Sequence, residues 1–302
     1  MSSDSVREVV ASRPSLAHRV SSKLYTNAKL RLRLLIAAPL LWLSLVYVAA
    51  LLALFLVAFW SMDSFTGEIR PTWNIDNFVE IFTNSLYQTV TLRTIGIALA
   101  VTLIDVLIAL PIAFFMAKVA SPRVRGILVI SILMPLWASY LVKAYSWRSV
   151  LSNEGILQWL LNPVGLDTPG YSLFGAALTL SYIWLPYVIL PIFTGLEKVP
   201  RNLIEASSDL GAKTLATLRT VVFPLLLPAI AAGSIFAFSL TMGDYITINI
   251  VGGATQMLGN LVYTNVGVAN NLPLAAAIAM IPVAIMFVYL TAIRRTGALD
   301  NL

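Results

Sequence analysis

Long uninterrupted runs of apolar residues recur along the chain, separated by shorter polar stretches. A helix needs about 20 predominantly apolar residues to cross the hydrocarbon core of a bilayer, where every backbone polar group must be satisfied internally. Six runs come close to that length. They are Leu34–Trp60, Ile95–Ala117, Ile127–Trp147, Tyr171–Leu196, Val221–Gly243 and Leu272–Ile293. We therefore predict an all-α polytopic membrane protein with six transmembrane helices.

Two of these runs need a closer argument. The first follows a basic stretch, as in a cleavable signal peptide, but it contains 27 uncharged residues. The apolar region of a signal peptide has only about 7–15, so we expect this run to be a retained span. In the third run Lys143 follows only 16 residues. A lysine near a helix end can extend its ammonium group to the lipid headgroups, so we keep this run as a span.

The composition agrees with a bilayer as the main solvent. Of 302 residues, 59% are hydrophobic and 11% are charged, whereas a soluble domain carries about 25% charged residues. Cysteine is absent and His18 is the single histidine, so we expect no metal site. The net charge of +6 does not indicate nucleic acid as a partner, because the basic residues lie beside apolar runs rather than on a basic soluble face.

The basic residues also predict the topology, since cytoplasmic segments of membrane proteins are enriched in Lys and Arg. Of the 20 Lys and Arg residues, 16 lie on one side of the predicted membrane and four on the other. This places both termini in the cytoplasm, with residues 1–33 as a polar tail and 34–302 as the transmembrane domain. The segments Ser61–Gln88, Ser149–Gly170 and Asp244–Asn271 would face outward.

The connection between the fourth and fifth runs is too long for a simple tether. Packed helices are usually joined by about 2–8 residues, whereas this connection occupies residues 197–220. Its sequence, EKVPRNLIEASSDLGAKTLATLRT, predicts a short helix opened by Pro200, a turn at Gly211 and a second helix from Ala212. An apolar stripe on the first helix would suit a groove on a partner protein. It would consist of Leu203, Ile204, Ser207 and Leu210.

At this loop the sequence resembles a known family. The stretch LIEASSDLGA, followed by VVFPLLLPAI, is similar to the EAA loop of type I ABC importer permeases. In that loop, three residues separate a Glu-Ala-Ala sequence from a glycine. Glu205, Ala206 and Gly211 match that pattern, and Ser207 replaces the second alanine. The resemblance implies a coupling helix that docks into a groove of a cytoplasmic ATPase subunit. The residues implied in docking are Glu205, Ala206, Ser207, Asp209, Leu210 and Gly211.

The same resemblance implies the rest of an assembly. The chain would be the permease subunit of an ATP-driven, binding-protein-dependent importer in a bacterial inner membrane. Its implied partners are a second homologous permease in a heterodimer, two copies of an ATPase subunit and an extracytoplasmic substrate-binding protein. ATP and Mg would bind the ATPase subunits, and this chain would bind no cofactor and catalyse no reaction.

A polar, glycine-rich stretch follows the fifth run, and no charged residue occurs between Asp244 and Arg294. Such a stretch is unusual for an exposed loop, so we predict a partly re-entrant segment with bends at Gly252-Gly253 and Gly259. The sequence SLTMGDYITINIVGG resembles spermidine/putrescine-type permeases, and NIDNFVEIF is similar to that family's entry into its core helices. The long basic tail is similar to the first of the two permease subunits in such systems. This resemblance implies polyamine cargo.

Two acidic residues are candidates for the cargo path. An acid inside a span costs roughly 2.5–3.5 kcal/mol on insertion scales and marks a functional candidate. Asp105 lies near the centre of the second run, and Asp244 ends the fifth. Carboxylates and aromatic faces together bind flexible cations, so we expect Asp244 and Tyr245 to contact cargo near the outer end and Asp105 to line the path. Further aromatic candidates are Tyr140, Tyr182 and Trp184.

Alternatives to these roles stay open. Asp105 could be a structural acid bonded to neighbouring hydroxyls, and Asp244 could cap the turn that follows it. A proton-coupled secondary transporter could use both acids as a relay, although the sequence has no evident inverted repeats. A membrane enzyme would need a recognisable catalytic motif, and no HExxH, GxSxG or Walker sequence occurs. Within the importer class, the cargo could instead be an opine, an amino-acid derivative, thiamine or iron.

Overall fold

Helices make up nearly all of the structure, as the apolar runs predict. The computed structural model describes residues 28–63 and 65–294. Two short antiparallel strands, β1 (Ser61–Met62) and β2 (Ile69–Arg70), form a hairpin. The described helices are α1 (Ala28–Val57), α2 (Asp76–Thr83), α3 (Ser85–Phe114), α4 (Pro122–Trp137), α5 (Tyr140–Val150), α6 (Ile156–Leu161), α7 (Leu173–Lys198), α8 (Arg201–Asp209), α9 (Thr214–Thr217), α10 (Phe223–Met242), α11 (Ile246–Val251), α12 (Leu258–Gly267) and α13 (Leu272–Arg294).

Five helical stretches of the described chain are long and apolar enough to cross a membrane, and the bent pair α4–α5 makes a sixth if it is counted as one span. Two of them include a π-helical turn. Phe115–Val119 continues α3, and Leu218–Val222 joins α9 to α10. The prediction of an all-α polytopic membrane protein is therefore confirmed, and its count of six spans holds if the bent pair is one span.

The third predicted span, Ile127–Trp147, is wrong as a single straight helix. The structure divides it into α4 and α5, whose axes are bent by 97°. Pro135 lies within the last turn of α4 and has no amide hydrogen to donate. Ala138 and Ser139 then adopt extended backbone conformations, with ψ of 139° and 142°. The chain leaves the helix there, although its hydropathy gives no sign of the break.

The chain divides into two compact units, and the boundary falls within α1, between Leu54 and Phe55. In the first unit, the part of α1 from Leu34 to Leu54 has no charged residue, contains Pro39 and has mostly exposed side chains. A helix that is hydrophobic all round is typical of a membrane span. The predicted domain boundary at residues 33 and 34 stays a prediction, and residues 1–27 and 295–302, including His18, lie outside the described residues.

The core of the second unit lies where α3, α7 and α10 pack against one another. α10 approaches α7 closely at Gly233, where a Cβ atom would lie 3.1 Å from the Cα of Val188. Small residues permit such approaches between membrane helices, where packing replaces the hydrophobic effect as the driving force. This three-helix core connects the two regions that carry the candidate functional residues.

Candidate functional site

The loop between α7 and α10 contains the predicted helix–turn–helix. α8 begins directly after Pro200, and Gly211 follows it with φ of +80°. Two hydrogen bonds close the turn, from Gly211 N to Ser208 O (2.9 Å) and from Ala212 N to Ser207 O (3.1 Å). This pair is the Schellman pattern, in which a left-handed residue satisfies the last carbonyl groups of a helix. The predicted turn is confirmed, but the second helix, α9, begins at Thr214 rather than Ala212.

The predicted apolar stripe of α8 divides between two directions. Ile204 packs against the buried core, and Ser207 is half-buried with its hydroxyl 2.9 Å from that of Thr217 on α9. Leu203 and Leu210 are exposed, Leu210 to 89%. Ile204 and Ser207 thus attach α8 to the rest of the helical core. Five of the six residues expected to dock are exposed: Glu205, Ala206, Asp209, Leu210 and Gly211.

A cleft of about 300 Å³ lies between α8, α9 and the C-terminal end of α3. Its polar lining comes from Glu205 and Ser208 of α8, Thr214 and Thr217 of α9, and Lys118 of the π-helical turn. Leu215 of α9 does not line this cleft but is 77% exposed. A rigid, glycine-ended helix with an apolar tip and a cleft beside it can act as a lever between two packed bodies.

A second cluster forms around Asp244, just beyond α10. Its carboxylate accepts hydrogen bonds from the amide of Thr247 (2.8 Å), from the Thr247 hydroxyl (3.2 Å) and from the hydroxyl of Tyr140 on α5. Asp244 is 7% exposed. The carboxylate therefore caps α11, as the structural alternative predicts, and it also joins α5 to the end of α10.

Aromatic rings extend this cluster on both sides. Tyr140 stacks on Trp184 of α7, with ring centroids 5.7 Å apart, and Tyr245 stacks on Tyr263 of α12 at 4.9 Å. Tyr245 and Tyr263 line a cavity of about 350 Å³ between α12, α13 and the end of α10. The structure thus brings four of the six predicted pathway residues, Asp244, Tyr140, Trp184 and Tyr245, into one region, and their contact with cargo stays a prediction.

Two of the predicted pathway residues lie apart from this cluster. Asp105 is 0% exposed in the three-helix core, and neither of its carboxylate oxygens has a hydrogen-bond partner in the described chain. Ser181 of α7 is close enough to affect the Asp105 carboxyl electrostatically but makes no aligned hydrogen bond with it. Tyr182 packs against Trp147 of α5, with ring centroids 5.4 Å apart. For both residues a place on the cargo path stays a prediction.

The segment after Asp244, which is predicted to be partly re-entrant and to bend at its glycines, is largely helical. It forms α11 and α12, separated by a turn in which Gly253 has φ of +63°. Gly259 permits close packing, because a Cβ atom there would lie 2.9 Å from the carbonyl oxygen of Asp244. The glycine positions are thus used as bends and close contacts, while the residues between them are helical.

Three polar residues of this site escaped the sequence analysis: Thr247, Asn260 and Tyr263. Thr247 follows Asp244 by three residues, and aspartate side chains often bond to backbone amides two or three residues ahead, so this spacing could have identified Thr247. Asn260 donates to Tyr245 O (3.1 Å) and to Asn249 Oδ1 (2.7 Å). These contacts join α11 to α12 across a turn, so only the tertiary structure could reveal them.

The helical fold and the long loop between α7 and α10 fit one class of protein, the membrane-spanning subunit of an ABC importer, and the family match shows it. Residues 98–295, about two thirds of the chain, match the family described as "Binding-protein-dependent transport system inner membrane component". The chain belongs to this family. It is accordingly a multi-pass protein of a bacterial inner membrane and a transport subunit rather than an enzyme, as the sequence analysis expects.

Individual relatives agree with this assignment. The inner membrane ABC transporter permease protein YdcU of Escherichia coli is 40% identical, with 96% of this chain and 97% of YdcU covered. The spermidine/putrescine transport system permease protein PotB of E. coli is 30% identical over 77% of this chain and 86% of PotB. A crystal structure of a bacterial alginate ABC transporter has a similar fold, with a TM-score of 0.72 at 14% identity over 92% of this chain and 97% of that one.

Proposed function

We propose that this permease subunit imports small organic cations, with polyamines such as spermidine and putrescine as its cargo. The name of the PotB relative supports this cargo class. A physical argument from the outer cluster supports it independently.

The observation that carries the proposal is the environment of the Asp244 carboxylate. Asp244 is 7% exposed. Within the described residues, no Lys or Arg nitrogen lies within 4.0 Å of its carboxylate oxygens, the limit for an ion pair. A buried carboxylate without a counter-charge is costly unless its charge is compensated. A primary ammonium group would supply the missing charge and donate hydrogen bonds.

The neighbouring aromatic residues suit the remainder of such a cation. Tyr245 and Tyr263 form one wall of the 350 Å³ cavity, whose other lining residues are apolar or glycine. An alkyl chain that carries ammonium groups would gain apolar contact and cation–π attraction from the tyrosine faces. Asp105, which is buried, would enter the path only when α3, α7 and α10 separate.

The inner loop supplies the proposed link to ATP hydrolysis. In this proposal the exposed surface around Leu210 and Gly211 docks into a groove of an ATPase subunit, and both termini of this chain are cytoplasmic. The full assembly contains a second homologous permease, two ATPase subunits with ATP and Mg, and an extracytoplasmic binding protein. Closure of the ATPase pair would displace α8 and drive alternating access of the cargo path.

The test is to purify the complex by a tag on this chain and to reconstitute it with its binding protein. ATPase and second permease subunits should co-purify, and spermidine or putrescine should stimulate ATP hydrolysis more than thiamine, ferric iron or an opine. Asp244→Asn should lower polyamine uptake about tenfold, because the amide keeps the shape and the bond from Thr247 but loses the charge that attracts the cation.

Glu154→Gln is the matched control, since Glu154 is an exposed acid in another predicted outward segment. It should leave uptake unchanged. Equal uptake by the two variants would remove Asp244 from the path. Stimulation by an uncharged or anionic cargo alone would refute the polyamine assignment, and absence of an ATPase from the purified particle would refute the importer mechanism.

A further inference from the structure

The guanidinium group of Arg125 connects the inner ends of three helices. Arg125 lies in the first turn of α4 and donates to the carbonyl oxygens of Met116 (3.0 Å) and Ala117 (3.1 Å) in the π-helical turn that continues α3. Its third bond, of 2.9 Å, reaches the carboxylate of Glu197 in the last turn of α7. One side chain thus holds α3, α4 and α7 together.

These contacts have clear physical reasons. The last carbonyl groups of a helix have no partner within the helix, and a positive charge is favourable at that end. The planar fork of arginine can satisfy several acceptors at once, which the single ammonium group of lysine does less well. Arg125 and Glu197 are 33% and 40% exposed, so the ion pair alone contributes little and the two carbonyl bonds define the geometry.

A second connection lies beside the first. The ammonium group of Lys118, at the end of α3, donates to the carbonyl oxygen of Val199 (3.0 Å). Val199 and Pro200 are the two residues that link α7 to α8. Ile204 of α8 also packs against the buried cluster that includes Met116 and Ala117. The inner end of α3 is therefore tied to the base of the exposed α8 helix by polar and apolar contacts.

We propose that Arg125 is a positioning residue that makes α3 follow the displacement of α8, so that motion imposed on the inner loop reaches the three-helix core. This inference rests on the proposed docking of α8 to an ATPase. α3 carries Asp105 and packs against α7 and α10. Without the Arg125 contacts, α8 could move with α7 while the inner end of α3 stays behind, and ATP hydrolysis would continue with little transport.

The test measures the distance between α3 and α8 in the assembled complex. The sequence contains no cysteine, so Val119→Cys and Asn202→Cys, both at exposed positions, carry the only spin labels on this chain. The distance should be narrow and equal in the nucleotide-free and the vanadate-trapped ATP states. With Arg125→Gln added, the distribution should broaden and differ between the states, and putrescine or spermidine uptake per ATP hydrolysed should fall at least fivefold.

Arg123→Gln is the matched control. Arg123 is exposed two residues earlier on the same helix, and it has no hydrogen bond or ion pair within the described chain. Its removal takes away the same charge and should change neither distance nor uptake. Glu197→Gln is the second variant, because it removes the ion pair but keeps both carbonyl bonds of Arg125. It should broaden the distance distribution less than Arg125→Gln does. If Arg125→Gln does not assemble, Glu197→Gln provides the test in its place.

The inference is overturned if Arg125→Gln matches Arg123→Gln in distance and in uptake per ATP. If Arg125→Gln does not assemble, it is overturned by a Glu197→Gln complex identical to the unsubstituted one. A failure of the proposed function gives a different result: no ATPase co-purifies with the unsubstituted chain, and no nucleotide-dependent change occurs in any variant.

Discussion

Replacement of Gly211 tests how much one left-handed backbone conformation contributes to the geometry of the loop between α7 and α10. Gly211 has φ of +80° and ends α8 through the two hydrogen bonds of the Schellman turn. A Cβ atom built on it would meet no atom within 4 Å. Gly211→Ala therefore introduces no steric clash with other elements, and its cost comes from the left-handed backbone alone.

That cost is about 1–2 kcal/mol for a residue with a Cβ atom. If the turn must keep its geometry for α8 to dock, this energy reduces the affinity for the ATPase subunit about 5–30-fold. Asparagine tolerates the left-handed region better than alanine, so Gly211→Asn should lie between glycine and alanine. A β-branched residue is a stronger outlier there, so Gly211→Val should bind most weakly.

The assay is a titration of the permease pair in nanodiscs with purified ATPase subunit. Gly126→Ala, in α4, is the control, because Gly126 has ordinary helical backbone and an added Cβ atom would again meet nothing within 4 Å. It should bind as the unsubstituted chain does. The reasoning is refuted if Gly211→Ala and Gly211→Val bind within twofold of Gly126→Ala, since the turn would then tolerate any residue.

Two further predictions concern packing and pH. Gly233→Val should lower the thermal unfolding midpoint by several degrees, because its Cβ would approach the Val188 Cα to 3.1 Å, whereas Gly126→Val should have little effect by the same fluorescence-detected melting assay. In the hairpin between β1 and β2, hydrogen bonds from backbone amides, first that of Phe65, hold the pKa of Asp63 below its ordinary value of 3.8. The carboxylate therefore stabilises the hairpin above about pH 4 and this contribution is lost as the pH falls through the lowered pKa. Hydrogen-exchange protection of the Phe65 amide should drop in that acidic range, and an Asp63→Asn chain should lack the transition; protection that is independent of pH in the unsubstituted chain would contradict the argument.

The membrane spans follow from hydropathy because lipid imposes a single requirement on every residue that faces it. Runs such as Leu272–Ile293 and α13 (Leu272–Arg294) agree almost residue for residue. The bend between α4 and α5 has no counterpart in hydropathy. Proline also occurs inside helices of this chain that continue past it, for example Pro39 in α1. The position of Pro135 therefore could not, by itself, identify the break at Ala138 and Ser139.

For the loop between α7 and α10, too, the sequence predicted one feature and could not predict another. Gly211 identified its own turn, because few residues other than glycine adopt a left-handed backbone without cost. The sequence could not predict that Ile204 and Ser207 pack against the spans while Leu210 is exposed to solvent. Helical periodicity gives the relative directions of side chains but not the side on which a partner lies.

What the sequence by itself determined is local: the apolar spans, the glycine turn, the uncharged outer segment and the isolated acids. Each depends on how one residue or one short run interacts with lipid or with its own backbone. Only the tertiary structure decided that Asp244 meets Tyr140, 104 residues away in sequence, and that Arg125 meets Glu197, 72 residues away. Such pairs depend on how α3, α5, α7 and α10 cross, and helix crossing is set by many small packing contacts that no single stretch of sequence contains.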